Sequence, residues 1–306
     1  MKHAHLRWLI GLAILAATMG GCDDKGPAAS QPAAAHRPKG GLDVTFVVTA
    51  DLHYGGKAEM AFGATAPIEG LLTREIEQIN TIAGRPWPLW VGGTVGTPRG
   101  VVVAGDLTDE GTREQWDLFE KDFGLTGTEG KVKFPVFEIV GNHDRWTGEY
   151  VTGQVARRHG SRHYSWNWDD LHVVCVGEGA DSETLQWLKA DLAAAGRSEP
   201  VIVVLHFSLS GPYSDSNWFG QGDFHDRFAK ALKGHNVIGI FHGHYHDSRR
   251  YQWEGYDTYC VGSAKNAARC FAVVHVTDTK MTVGSWYWAD LPGWWWHHEK
   301  TLPQRQ

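Results

Sequence analysis

Five short apolar runs, each halted by a cluster of Asp, Asn or His, constrain this chain more than any other feature. They lie at 44–50, 101–104, 134–140, 200–205 and 237–241. Each is strand-length rather than helix-length and rich in β-branched residues, so each reads as a buried strand. The polar residues that end each run are odd for a plain turn. Asp51-Leu52-His53 ends the first, Gly105-Asp106-Leu107-Thr108-Asp109 the second, and Gly141-Asn142-His143-Asp144 the third. His206 ends the fourth, and His242-Gly243-His244-Tyr245-His246 ends the fifth.

These residue types are those of metal and proton chemistry. Residues two apart at a strand end point the same way, so Asp51 with His53, and His244 with His246, suit shared ligation of one cation. Gly105 lets the backbone turn sharply beside a ligand. Asp106 carries two oxygens that can bridge two cations, and Asp109 suits a supporting place behind the ligands. Asn142 offers a neutral oxygen, His143 a ligand or a proton donor, and Asp144 a group to orient that His. Taken singly, each pair also fits an ordinary loop, and a lone His206 fits a structural histidine. Three His in five residues against an apolar strand are costly unless something binds them.

Between the runs, helical spacing recurs at 69–83, 112–123, 150–159, 181–195 and 224–232. Clean alternation around Asp169-Asp170 predicts a hairpin of 163–168 with 171–176. The Pro- and Gly-rich stretch 85–99 reads as an insertion or small hairpin, with Trp87 and Trp90 packing it down or lying near a cleft. From Ser248 onward the pattern predicts consecutive antiparallel strands at about 248–254, 256–262, 269–276 and 280–288, the last long segments pairing around 262–268. The Trp294-Trp295-Trp296-His297-His298 segment is expected to dock on the core.

The amino terminus reads as a targeting segment. Lys2 and Arg7 precede an apolar stretch, 8–17, too short to span a bilayer comfortably. Gly20-Gly21-Cys22 resembles a bacterial lipobox, with Met19 at the usual Leu position. Residues 1–22 are therefore expected to be a signal peptide of lipoprotein type, 23–41 a flexible linker, and 42–306 one domain. The expected location is the exported cell envelope, anchored through Cys22, with a periplasmic or secreted protein as the alternative. Membrane contact is expected only through that anchor. Cys260 and Cys270 flank the expected pairing of the last strands, export permits a bond, and geometry decides whether one forms.

Composition narrows the function. Of 306 residues 21% are charged, both signs are interspersed, and the net charge is −6, which argues against a nucleic-acid-coating role. The 17 His point to metal or proton chemistry, and the 15 Trp to large apolar contact surfaces. A Ser hydrolase fits poorly, because Phe207-Ser208-Leu209-Ser210-Gly211 lacks the leading Gly of a nucleophile elbow. A non-catalytic module binding lipid or glycan through a Trp-rich surface is the alternative kept, although it has no need of intact metal ligands.

The five clusters, in this order, resemble the calcineurin-like metallophosphoesterase superfamily over about residues 43–288. The resemblance implies an α/β fold: a four-layer α/β/β/α sandwich of two mixed sheets flanked by helices, with the site at the strand ends. It implies that Asp51, His53 and His246 hold one metal, that Asn142, His206 and His244 hold a second, and that Asp106 bridges them. His143 would stabilise or protonate the leaving oxygen, Asp144 would orient it, and Asp109 would support the ligands. The implied activity is hydrolysis of phosphomonoesters or phosphodiesters by a metal-bound hydroxide at a dinuclear centre. Oxygen and imidazole ligands without thiolate suit Mn, Fe, Zn or Co. Leu107 or Thr108 stands where purple acid phosphatases carry a metal-binding Tyr, which argues against a purple iron site.

Overall fold

Apolar runs without alternation are buried on both faces, and here they become the central parallel strands of two stacked sheets. The computed structural model describes residues 41–211 and 213–303. The first half of the chain holds β1 (Asp43–Thr49), β2 (Lys57–Glu59), β3 (Thr65–Pro67), α1 (Glu69–Asn80), β4 (Val101–Ala104), α2 (Arg113–Phe123), β5 (Val136–Ile139) and α3 (Tyr150–His159). The second half opens with β6 (Tyr164–Trp168), β7 (Leu171–Cys175), α4 (Ser182–Ala195), β8 (Val201–Val204), α5 (Phe224–Leu232) and β9 (Val237–His242). It closes with β10 (Ser248–Trp253), β11 (Tyr256–Val261), β12 (Cys270–Thr277), β13 (Lys280–Tyr287) and β14 (Gly293–Thr301).

The first sheet runs β14-β13-β12-β1-β4-β5 and the second β10-β11-β9-β8-β7-β6, while β2 and β3 form a separate hairpin. Strands β1, β4 and β5 are parallel, as are β7, β8, β9 and β11. Alternate side chains of β1 show the layering. Val44, Phe46 and Val48 face the second sheet, packing with Val173, Ile202 and Phe241. Val47 faces outward with Leu72, Ile76 and Phe119 of α1 and α2. On the far side, Leu185, Leu188 and Leu192 of α4 and Phe228 of α5 cover Val174 and Val203. These layers make the expected α/β/β/α sandwich of two mixed sheets. Helix starts follow their caps: Thr112 and Asp181 accept from the backbone N–H groups of Gln115 and Thr184. Among the described residues no helix is long and apolar enough to cross a membrane. Residues 1–40, with the expected signal peptide, Cys22 and nearly all of the linker, lie outside the described residues.

The carboxyl-terminal strands depart from expectation. Strands β10 and β11 form the predicted hairpin, but β11 then pairs in parallel with β9, and the chain crosses to the first sheet before β12. The segment 262–268 is therefore a crossover between sheets, where a pairing of neighbours was expected. Alternation reports which faces are buried and says nothing about which strand does the covering. Cys260 and Cys270 end up in different sheets, buried and unbonded. The Trp-rich tail docks as edge strand β14: Trp294 stacks on Trp87 at 4.7 Å and Trp296 lies parallel to Tyr259 at 6.2 Å. Trp295 stays exposed. Trp87 is thus part of this packing, while Trp90 points to solvent.

One buried acid has a measurable consequence. Glu75 of α1 is buried, accepts a hydrogen bond from Thr49 Oγ1 at 2.5 Å, and leaves its other oxygen unpartnered. Burial pushes its carboxyl up to about 8. The folded chain keeps this proton to about pH 8, whereas an exposed Glu loses it near 4.5. Stability is therefore full below about pH 4.5 and falls as pH rises towards 8. Glu75→Gln is expected to remove that slope, changing the stability difference between pH 5 and pH 9 by about 4 kcal/mol in denaturant titrations. An unchanged slope in the variant would refute the assignment.

Candidate metal centre

All five strand-end clusters meet at one edge of the sandwich. The loops after β1, β4 and β5 bring Asp51, His53, Asp106, Asn142 and His143 from the first sheet. Those after β8 and β9 bring His206, His244 and His246 from the second. The spacing argument from strand pleat does not survive, because β1 ends at Thr49 and the ligands lie beyond it. Asp51, His53, Asp106, His244 and His246 all have left-handed backbone, with φ of 54°, 50°, 51°, 66° and 54°. They make up five of the eight described non-glycine residues with positive φ, so backbone strain is concentrated at this site. Each such residue costs about 1 kcal/mol or more, which the surrounding hydrogen bonds must offset. Those bonds are present: Asp51 N–H donates to Gly105 O and His53 N–H to Asp106 O, both at 3.0 Å. The His244 N–H lies 3.0 Å from both oxygens of Asp51.

Glycines make the close approaches possible. A Cβ on Gly105, itself at φ 86°, would fall 2.5 Å from His206 Nδ1. One on Gly141 would overlap Asp106 Oδ1.

Oxygen neighbours fix which imidazole nitrogens face inward. His53 Nδ1 is 3.0 Å from Asp109 Oδ1, His206 Nδ1 is 2.9 Å from Ala104 O, and His246 Nδ1 meets Asn266 Oδ1. An oxygen acceptor requires N–H at each of these positions, which leaves each Nε2 for the site. His53 Nε2 and His246 Nε2 then face each other at 3.1 Å. Two lone pairs so placed need a proton or a cation between them, and the separation suits two nitrogens sharing one ion at bonds of about 2.1 Å. Ligand atoms of Asp51, His53, Asp106 and His246 all lie within 4.8 Å of one another. The residues present fit a metal.

Asp106 faces both ways. Its Oδ2 is 3.6 Å from His53 Nε2, and its Oδ1 is 3.3 Å from His206 Nε2. Asn142 Oδ1 is 3.0 Å from the same His206 nitrogen. His244 completes this looser second group, its ring edge-on to His206 at 5.1 Å. The imidazoles and carboxylates of the cluster shift one another's protonation. Burial opposes ionisation of Asp51, but His246 holds it below the usual range, and His206 does the same for Asp106. Burial likewise opposes the charged form of His206, yet Asp106 pushes it up to about 10. His246 is raised against its own burial by Asp51, whereas burial lowers His53 and takes His244 down to about 3.

Asp144 corrects an expectation. It was expected to orient His143, but it accepts from the backbone N–H groups of Gly141, Leu107 and Thr108 and from Thr108 Oγ1, at 2.7–3.2 Å. The short helical turn at His143–Arg145 swings the carboxylate back under the loops after β4 and β5, so it ties those loops together. Burial, with Asp106 nearby, pushes it up to about 7. His143 is oriented instead by Asp109, whose carbonyl lies 2.7 Å from Nδ1. His242, the third His of its cluster, is buried away from the ligands. Its Nδ1 donates to Gly243 O at 2.8 Å and its Nε2 meets the Tyr251 hydroxyl at 2.7 Å. Burial takes it down to about 4.

Residues 263–266 were missed by sequence reasoning. Ala264 N–H and Ser263 Oγ donate to Asp51 O at 3.2 and 3.3 Å. Lys265 Nζ holds Asp109 Oδ1 at 2.7 Å, and Asn266 orients His246. The crossover between the sheets thus braces Asp51 and His246 directly and His53 through Asp109. No sequence signal beyond a polar loop marks it.

A family model described as calcineurin-like phosphoesterase matches residues 44–248. No curated protein matches the chain in sequence. Among solved structures, GAP50, described as the anchor in the inner membrane complex of Plasmodium, is 13% identical. The match covers 87% of this chain and 90% of that one, with a TM-score of 0.59, and it shows a shared fold. Vacuolar protein sorting 29 from Cryptosporidium parvum is 11% identical over 85% of this chain and 99% of that one, at a TM-score of 0.44.

Proposed function

This chain belongs to the calcineurin-like phosphoesterase family, and from that premise we propose that it is a two-metal hydrolase of phosphomonoesters or phosphodiesters working in the cell envelope. The observation that carries the dinuclear centre is Asp106, with one oxygen toward His53 and the other toward His206. Asp51, His53 and His246 would hold the first ion, and Asn142, His206 and His244 the second, as Mn, Fe, Zn or Co. Held by these residues, such ions would lower the pKa of water toward neutrality and offset phosphoryl charge.

The protein's own part is positioning and proton transfer. Asp109 O fixes the Nδ1–H tautomer of His143, which leaves Nε2 for the cleft that the ring lines. The protonated ring donates from Nε2 to the leaving oxygen, a form of general acid catalysis. Asp109, backed by Lys265, keeps His53 Nε2 directed at the ligand cluster. Export and anchoring at Cys22 are supported by the positive, apolar and small-residue order of positions 1–22, and residues 42–306 are proposed to act as one domain.

The test is hydrolysis of bis-p-nitrophenyl phosphate beside p-nitrophenyl phosphate by the chain stripped with chelator and reloaded with Mn, Fe, Zn, Co or Mg. A rate lost on stripping and restored by metal is expected, and its ester preference separates diesterase from monoesterase. Metal bound by elemental analysis with no rate on either ester would overturn the proposal.

A further inference from the structure

The candidate ligands share their cleft with aromatic rings that hydrolysis itself does not use. The cleft, of about 290 Å³, is lined by Tyr213 and Tyr245 beside Asn142, His143, His244 and His246. Tyr213 is half exposed. Its ring meets His244 edge-on at 5.9 Å and Tyr245 at 5.8 Å. The backbone beneath it is pinned, since Tyr213 O accepts from Asn217 Nδ2 at 2.8 Å and Ser216 Oγ at 3.2 Å. Tyr245 is braced by the Arg249 guanidinium, 4.2 Å from its ring centre, with Arg249 itself paired to Asp247. The Tyr245 ring is therefore held in place before any ligand arrives, and Tyr213 rises beside it from an anchored backbone, which lowers the ordering cost of stacking there.

Charge in the cleft points the same way. No Lys or Arg is among its described lining residues. Once one phosphoryl group sits on the ligands, the described lining offers a second phosphate no lysine or arginine of its own, and the Arg249 guanidinium behind Tyr245 is already paired with Asp247. A flat, uncharged group would meet tyrosine. The volume has room for little more than one phosphoryl group and one ring system.

We propose that the cleft selects phosphoesters whose ester group carries an uncharged aromatic ring, a nucleobase or an aryl group, and that Tyr213 reads that ring. The inference rests on the phosphoesterase function proposed above and adds its substrate class. The metal-loaded full chain is assayed on two matched pairs: adenosine 5′-monophosphate against ribose 5-phosphate, and benzyl phosphate against cyclohexylmethyl phosphate, each also as its methyl diester. Leaving alcohols within a pair are closely similar, so a difference reports the ring rather than ease of departure. The expected result is a kcat/KM about tenfold higher for the aromatic member, a ratio that collapses toward one in Tyr213→Ala and is retained in Tyr213→Phe. A preference in the first pair alone identifies a nucleobase, and in both pairs any aromatic ring. Equal kcat/KM within both pairs, or a preference that survives Tyr213→Ala, overturns the inference. No hydrolysis of any of these esters, under any metal, removes the phosphoesterase function and the inference with it.

Discussion

Asp106→Asn is expected to lower kcat/KM by about a thousandfold or more and to release bound metal. The carboxylate lies 3.6 Å from His53 Nε2 and 3.3 Å from His206 Nε2, and its Oδ1 also accepts from the His143 N–H at 2.9 Å. An amide of the same shape keeps an oxygen for one neighbour and turns N–H donors toward the other. That loses the charge that two cations would share. Because shape is preserved and Asp106 lies at the edge of the sandwich, circular dichroism should match the parent. Elemental analysis beside kinetics is decisive: activity within tenfold of the parent, with metal retained, would mean that Asp106 does not bridge.

His143→Ala is expected to separate chemistry from metal binding. Its Nδ1 is committed to Asp109 O, and it lines the cleft outside the tight group of Asp51, His53, Asp106 and His246. The variant should keep its metal and lose kcat by about 10²–10⁴-fold, with KM little changed. The loss should be smallest for p-nitrophenyl esters, whose leaving oxygen departs without a proton, and largest for alkyl esters. A uniform loss across leaving groups would assign His143 to positioning or ligation instead of acid catalysis.

How far the sequence could be read depended on whether the physics was local. Strands β1, β4, β5, β8 and β9 are buried on both faces, so their apolar runs stand out, and the polar clusters after them mark the site. Candidate ligand types were readable because five such clusters recur in order, whereas each alone also fits an ordinary loop. The geometry was not. Positive φ at Asp51, His53, Asp106, His244 and His246 arises from bonds between loops distant in sequence, and only Gly advertises such a conformation. Asp144 looked like a partner for its neighbour His143, yet one turn of helix sends its carboxylate to Leu107 and Thr108. Lys265 and Asn266 are ordinary polar residues until β11 and β12 prove to lie in different sheets.

The division of ligands between two sheets gives the site a mechanical role as well as a chemical one. Sheets in a sandwich are held by apolar contacts that resist separation more than they resist sliding. Asp51, His53, Asp106 and Asn142 ride on one layer, and His206, His244 and His246 on the other. Ions shared across that boundary would act as rivets. They would lock the register of the layers, so that slippage by even an ångström breaks coordination. Loading with metal would then be felt by the whole sandwich, at strands far from any substrate.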